Sequence, residues 1–141
     1  MAKNRRLSVN FDFSLIVLGI ASTNKVYQMA WYINNMLHFN FAREKDHTIT
    51  IAGAANAPFP CYAYDDVDSS IIYYLLVNKN NGYVLVPEMA MADFIFLAKG
   101  EIWQINSADT QNKLGQVKRV QVVFCVDVNT LKSKNNLVIY D

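Results

Sequence analysis

Apolar and polar residues alternate in several stretches of this chain, as they do in strands that bury one face. The alternation is clearest over residues 5–13, 47–53 and 120–128. Residues 71–77 are instead apolar throughout, which is typical of a strand buried on both faces. The stretch 120–128 is also partly apolar on both faces, so we expect this last long strand to lie near the centre of its sheet.

Two stretches have the spacing of a helix. In the first, apolar residues recur every three or four positions and so form a stripe along one face of a helix. They are Val26, Met29, Ala30, Ile33 and Leu37. Ser22 or Thr23 offers a capping oxygen before this stripe, and Asn40 is a plausible stop. The second helix is predicted over residues 102–116, where the apolar face is weaker. Between strand and first helix, residues 14–21 are interpreted as a buried connection that bends at Gly19.

Turn residues separate the remaining strands. Asn81 and Gly82 tolerate positive φ, which predicts a tight hairpin between the strand over 71–77 and the short strand that follows. Pro58 and Pro60 cannot donate to a ladder, so the short strand predicted over 59–64 is expected at a sheet edge. Strand character resumes over 93–98 after a further break.

The predicted order of elements is β-α-β-β-β-β-α-β, with several hairpins. This order is typical of an α+β fold in which a mainly antiparallel sheet is covered on one side by two helices, as a two-layer sandwich. The length of 141 residues, without repeat or linker, predicts a single domain over 1–141. We expect the uncovered face of the sheet to carry the surplus aromatic residues.

Composition favours a protein that contacts other subunits. Charged residues make up 18% of the chain, below the ~25% usual for soluble domains, while there are 8 Tyr and 8 Phe. Such a surface is expected to expose apolar patches, and association of two copies is the simplest way to cover them. The net charge of +1 gives no field that would steer nucleic acid or an anionic membrane.

The sequence predicts a cytoplasmic location and no membrane partner. The apolar run over residues 15–22 is far shorter than the ~20 residues of a membrane span, and Asp12 beside it is atypical of a secretory signal. Cys61 and Cys125 lie among apolar neighbours without metal-binding spacing, so we expect reduced, buried thiols.

The least generic stretch is residues 86–94, which we call the motif segment. It holds two carboxylates among apolar residues: Glu88 directly follows Pro87, and Asp93 comes five residues after Glu88. These acids could stabilise a loop that links two strands, contact a partner or ligand, or form an acid–base pair of which one member has a raised pKa. Because their separation is not fixed by the sequence, no catalytic residue is assigned.

The motif segment reads V-P-E, three residues, then A-D-F. In this order it resembles the signature of the IPExxxVDY family, small bacterial proteins of the Bacteroidetes lineage. The residues identical to that signature are Pro87, Glu88 and Asp93, and the conservative differences are Val86, Ala92 and Phe94. The resemblance spans nearly the whole chain. It implies a cytoplasmic protein and names no reaction.

Motifs for common chemistries are missing from the sequence. There is no nucleophile elbow, dinucleotide fingerprint or P-loop. His38 and His47 do not have the spacing of a zinc site, so no metal and no cofactor are predicted. Positive charge concentrates late in the chain, at Lys118, Arg119, Lys132 and Lys134. If the first two open the last strand and the others follow it, they lie at its opposite ends.

These observations lead to three hypotheses. The first is a non-enzymatic interaction protein that forms a homodimer through an aromatic surface, with Pro87, Glu88, Asp93 and Phe94 holding or presenting part of the contact. The second is an RNA- or nucleotide-binding module that uses the late basic residues. The third is a small acid–base enzyme that uses the two carboxylates.

Overall fold

The computed structural model describes residues 15–51 and 53–139, and the strand predicted over 5–13 lies outside them. The elements are β1 (Leu15–Ser22), α1 (Val26–Leu37), β2 (Ala42–Ile51), β3 (Ala54–Asp66), β4 (Ile71–Val77), β5 (Lys79–Asn80), β6 (Tyr83–Val84), β7 (Phe94–Gly100), α2 (Ser107–Gly115) and β8 (Val120–Val126). Six strands form one antiparallel sheet in the order β2-β3-β4-β7-β1-β8. Strands β5 and β6 form a separate small hairpin. The predicted α+β class is therefore confirmed.

Both helices pack on the same face of the sheet. The predicted stripe of α1 is buried at Met29, Ala30 and Ile33, and α2 contributes Leu114 to the same cluster. A group of aromatic rings packs into this layer, and its members are Phe39, Phe41, Tyr64, Tyr73 and Phe96. Phe41, Tyr73 and Phe96 are buried in the cluster beneath the helices, and Phe39 and Tyr64 are partly buried against it, so these rings do not lie on an uncovered face.

The opposite face of the sheet is also covered, so the expectation of an open face was wrong. Two irregular stretches lie on it: the motif segment, and residues 127–139, which we call the C-terminal segment. Met89 and Ala92 from the first, and Val128, Leu131 and Leu137 from the second, are buried in one cluster with sheet residues. Such segments lack a period of 2 or 3.6, so the apolar pattern does not reveal that they form a layer.

Residue 14 lies outside the described residues. Residues 15–21 do not form a bent connection, because β1 is a strand paired on both sides, with β7 and β8. Gly19 lies in the middle of this strand and faces the ring of Phe124. A Cβ atom placed on Gly19 would lie 2.4 Å from Cζ of that ring. The glycine therefore provides space for an aromatic side chain on the neighbouring strand.

Of the strands that the structure describes, the last long strand stands at one end of the sheet order, not at its centre. Among the described residues β8 pairs only with β1. Strand β8 has apolar residues on both faces because both faces are covered. Val123 packs in the helix-covered cluster, and Phe124 packs against the cluster on the opposite face of the sheet. Val122 and Cys125 are exposed. The prediction of two buried thiols is thus correct for Cys61 alone.

The turn at Asn81 and Gly82 forms as predicted, with φ of 52° and 82°. It closes the β5–β6 hairpin, however, and β4 pairs with β3 and β7 instead. The short strand with its prolines is part of the 13-residue strand β3, which lies inside the sheet. Pro58 and Pro60 precede Cys61, where pairing with β4 begins, so they lie in a part of β3 whose ladder partner among the described residues is β2 alone. On its other side the Asn80 side chain of β5 donates to the Pro58 carbonyl.

No helix within residues 15–51 and 53–139 combines the length and apolar character needed to cross a membrane.

Candidate functional site: the motif segment and its surroundings

The motif segment forms one turn of 3-10 helix between the β5–β6 hairpin and β7. This turn spans Pro87–Met89 and begins with the proline. Proline has no N–H, but at the first position of a helical turn the N–H would have no partner within the turn, so nothing is lost. Met89 and Ala92 are buried, while Glu88 and Met91 are exposed. The segment is therefore fixed to the sheet by its apolar side and presents its polar side outward.

Asn78 holds the motif segment in place. Its side chain is fully buried at the end of β4. Its amide nitrogen donates to the carbonyl oxygens of Met89 (3.0 Å) and Ala92 (2.9 Å), and its amide oxygen accepts from the N–H of Val86 (2.9 Å). One side chain thus satisfies three backbone groups that no strand or helix pairs.

In the sequence Asn78 stands only as a polar residue shortly before the Asn81–Gly82 turn. The one sign of its role in the sequence is its position directly after the uninterrupted apolar run over residues 71–77. An amide buried at that position would need several hydrogen-bond partners. The backbone of Asn78 also binds both ends of the segment. Its N–H donates to the backbone carbonyl of Asp93 (2.9 Å), and its carbonyl accepts from the backbone N–H of Leu85 (2.7 Å).

Asp93 extends the pairing of β7 with β1 by one step. Its backbone N–H donates to the carbonyl of Ile20 (2.8 Å), and its carboxylate accepts from the N–H of Ser22 (2.8 Å). The register of β1 with β8 shifts between Ala21 and Ser22, so the carboxylate serves a backbone N–H at an irregular point of the strand. Lys79 lies 3.7 Å from the other carboxylate oxygen.

Glu88 joins the motif segment to the C-terminal segment. Its carboxylate accepts from the N–H of Ser133 (2.7 Å). Desolvation acts to raise the pKa of Glu88, but hydrogen bonds from the backbone of Glu88, Ser133 and Lys132 and from the Ser133 side chain outweigh it, and the pKa is lowered. Nearby, the Asn136 amide donates to the carbonyl of Leu85 (2.8 Å), which adds a second link between the two segments.

The lowered pKa of Glu88 predicts a small acid-sensitive contribution to stability. A carboxyl group with a folded pKa below its ordinary 4.5 stabilises the fold above that pH and loses the effect as the pH falls through the folded value. Because the group is exposed, we expect Glu88→Gln to cost less than about 1 kcal/mol near neutral pH. Urea unfolding of both proteins at pH 7 and pH 3 measures it, and an unchanged difference between the two pH values would contradict the assignment.

The two carboxylates do not share one site. Glu88 binds the C-terminal segment, whereas Asp93 binds β1 and Lys79. Phe94 turns away from both, since it is buried in the helix-covered cluster. Pro87 is exposed beside Glu88. Of the four motif residues singled out by sequence, Pro87 and Glu88 alone lie together on the surface.

The late basic residues fall into two separate pairs. Lys118 and Arg119 precede β8, where their carbonyl oxygens accept from Asn24 (2.7 Å) and from the Ser22 hydroxyl (2.9 Å). Lys132 and Lys134 lie in the C-terminal segment beyond the other end of β8. Seven residues of strand span roughly 20 Å, so the four side chains are not placed as one compact patch.

A groove of about 830 Å³ lies between β2, the adjoining strands and the C-terminal segment. His47 and Cys61 both line this groove, although no sequence motif contains the two residues together. His47 Nε2 lies 2.6 Å from the carbonyl oxygen of Asn136. Within the part of the chain that the structure describes, no group of three or more His, Cys, Asp or Glu side chains could hold a metal ion.

Comparison of the chain with family models, with curated proteins and with solved structures gave no match. The resemblance to the IPExxxVDY family therefore stays a prediction.

Proposed function

We propose that this chain is a non-enzymatic, cytoplasmic interaction protein that forms a homodimer. In this proposal the outer edge of β8 pairs with the same edge of a second copy, antiparallel and about a two-fold axis. The two sheets then form one continuous sheet across the dimer. Such an interface is isologous, which is the commonest arrangement of a homodimer.

The observation that carries the proposal is the difference between the two edges of the sheet. At one edge, β2 has the charged run Arg43, Glu44, Lys45 and Asp46, and its register with β3 shifts between Glu44 and His47. Charges and bulges are the usual means by which a protein prevents pairing at an edge. The edge of β2 is thus protected.

The edge formed by β8 carries no charged residue, and its one register shift with β1 lies at its beginning, between Val120 and Val122, so the rest of the strand pairs regularly with β1. Its sequence, VQVVFCV, is rich in β-branched and aromatic side chains. Val122 is 40% exposed, and Cys125 is exposed as well. A long, uncharged strand of this kind is a template for pairing with another strand, and antiparallel pairing makes a second copy self-complementary to it.

Exposed aromatic residues on α1 agree with an interaction protein. Tyr27 and Trp31 are four residues apart, on one side of the helix, and are 58% and 61% exposed. Tyrosine and tryptophan are enriched among the residues that contribute most to protein–protein binding. The RNA-binding and acid–base hypotheses have less support, because their residues are divided between separate places.

The dimer is tested by placing a charge on the edge of β8. We expect light scattering to show a dimer for the unmodified full chain in the micromolar range. Val122→Lys places like charges close together across the shared edge, so we expect the dissociation constant to rise by at least about tenfold.

The matched control is Thr48→Lys, an exposed position on the protected edge strand, which is expected to leave the dimer unchanged. Circular dichroism verifies that both variants stay folded. A wild-type chain that is monomeric throughout the range, or a Val122→Lys variant that associates as the wild type does, would contradict the proposal.

A further inference from the structure

The hydrogen bonds of β1 determine which backbone groups of β8 face outward. The carbonyl of Ile20 accepts from the N–H of Asp93 (2.8 Å), so it points towards β7 and away from β8. A residue in an antiparallel strand directs its N–H and its C=O to the same side. Ile20 lies opposite Val123, and these two residues therefore form a pair without mutual hydrogen bonds. The N–H and the C=O of Val123 consequently point away from β1, towards the outer edge of β8.

A side chain of α2 already binds this edge. The amide Nε2 of Gln111 donates to the carbonyl oxygen of Val123 (2.8 Å). Val123 is the middle residue of β8, and its side chain is buried in the helix-covered cluster, on the face where α2 packs. Gln111 itself is half-buried. Its side chain therefore extends from the helix layer to the middle of the edge and occupies an acceptor there.

The position of α2 does not depend on this bond. Leu114 anchors the helix in the core, and the Asn106 side chain caps its start by accepting from the N–H of Asp109 (3.0 Å). Alanine also forms helix more readily than glutamine does. The Gln111 side chain can therefore leave Val123, or be removed by mutation, while α2 stays in place.

The proposed dimer needs the same carbonyl group. Because outward-facing backbone groups alternate along a strand, those of β8 belong to Gln121, Val123 and Cys125. A second copy of β8 that pairs antiparallel about a two-fold axis near the middle of the strand uses these groups, with Val123 of both copies at the centre. Each copy then exchanges the bond from Gln111 for one from a backbone N–H of the other copy.

We propose that Gln111 is an autoinhibitory contact of the β8 edge. While its amide binds Val123, the edge is closed at its middle, and two copies pair when the amide leaves and a backbone N–H takes its place. This inference rests on the proposed function, because it concerns the same edge. It adds that a side chain of α2 determines how readily the two copies associate.

The test compares the dissociation constant of the full-chain dimer in the wild type and in Gln111→Ala, measured by sedimentation equilibrium. Alanine removes the competing donor from both copies. Since each copy no longer gives up a hydrogen bond on pairing, we expect the dissociation constant to fall by at least about fivefold. The matched control is Gln116→Ala, the same substitution at an exposed position just after α2, which is expected to leave the constant unchanged. Circular dichroism verifies that both variants are folded.

A second measurement follows the contact itself. In Val122→Lys, at a concentration where this variant is monomeric, ¹⁵N NMR is expected to show the Gln111 side-chain amide protected from hydrogen exchange. In the wild-type dimer we expect that protection to be lost.

The outcomes separate this inference from the proposed function. A wild-type dimer whose dissociation constant is unchanged or raised by Gln111→Ala, or in which the Gln111 amide stays protected, would overturn the inference and leave the dimer standing. Association of Gln111→Ala alone would support the inference and contradict the wild-type dimer. If neither protein associates, both proposals fail.

Discussion

Replacing Asn78 with alanine is expected to lower the free energy of unfolding by about 3–5 kcal/mol. The buried amide makes three hydrogen bonds to backbone groups of the motif segment. Its removal takes away that partner from the N–H of Val86 and the carbonyl oxygen of Ala92, while the carbonyl oxygen of Met89 keeps its bond from the N–H of Ala92. Each buried polar group left unsatisfied costs on the order of 1–3 kcal/mol, so the loss is larger than that of an ordinary side-chain hydrogen bond. Urea unfolding followed by tryptophan fluorescence measures it.

Two further variants separate the amide chemistry from a general effect of truncation. Asn80→Ala, in the adjoining hairpin, removes a single hydrogen bond to the carbonyl of Pro58 and is expected to cost about 1 kcal/mol. Asn78→Asp keeps an oxygen that accepts from the N–H of Val86, but a carboxylate has no N–H to donate to the carbonyl oxygens of Met89 and Ala92. We therefore expect it to be destabilising although the size of the side chain is unchanged. If Asn78→Ala cost no more than Asn80→Ala, the amide would not be what holds the motif segment.

The layers formed by regular elements could be predicted from periodicity. For α1 and for strand β4, the spacing of apolar residues predicts which side chains are buried. Each element is predicted at nearly its observed position. The position of a strand within the sheet could not be predicted in this way. The alternation in β8 reports what packs above and below the strand, and it contains no information on whether one or two strands lie beside it.

The second face of the sheet shows a different limit of the sequence. Leu131 and Leu137 cover this face from an irregular segment, where apolar residues follow no period. The same holds for Gly19, which was interpreted through its backbone freedom. Its role depends on the Phe124 ring of a strand that is distant in sequence, and only the register of β1 with β8 brings the two together.

The candidate residues of the motif segment could be singled out from the sequence, but their partners could not be predicted. Glu88 binds Ser133 and Asp93 binds Ser22, contacts that link positions 45 and 71 residues apart. The residue that organises both ends of the segment, Asn78, lies eight residues before Val86 and outside the recognisable motif. A short signature can therefore mark a loop whose fixed conformation depends on side chains elsewhere in the chain.

Gly100→Ala is expected to destabilise the protein by about 3 kcal/mol or more, for two reasons that add. Gly100 ends β7 with a φ of 116°, a backbone conformation that residues with a Cβ atom rarely adopt. A Cβ atom at this position would also lie 2.2 Å from the carbonyl oxygen of Ser70. Because the obstacle is backbone, it cannot move aside as a flexible side chain would. Ser70 itself accepts a hydrogen bond from the N–H of Glu101 at the same place, which restricts it further.

Gly115→Ala is the matched control for this substitution. Gly115 ends α2 without a positive φ, and no atom lies within 4 Å of a Cβ atom placed there. Alanine is the better helix former by up to about 1 kcal/mol, so we expect the control to be neutral or slightly stabilising. Thermal unfolding of the two variants beside the wild type measures the difference. Equal midpoints for Gly100→Ala and Gly115→Ala would show that the end of β7 tolerates a side chain, and the close approach of β7 to the turn at Ser70 would then not be what requires glycine.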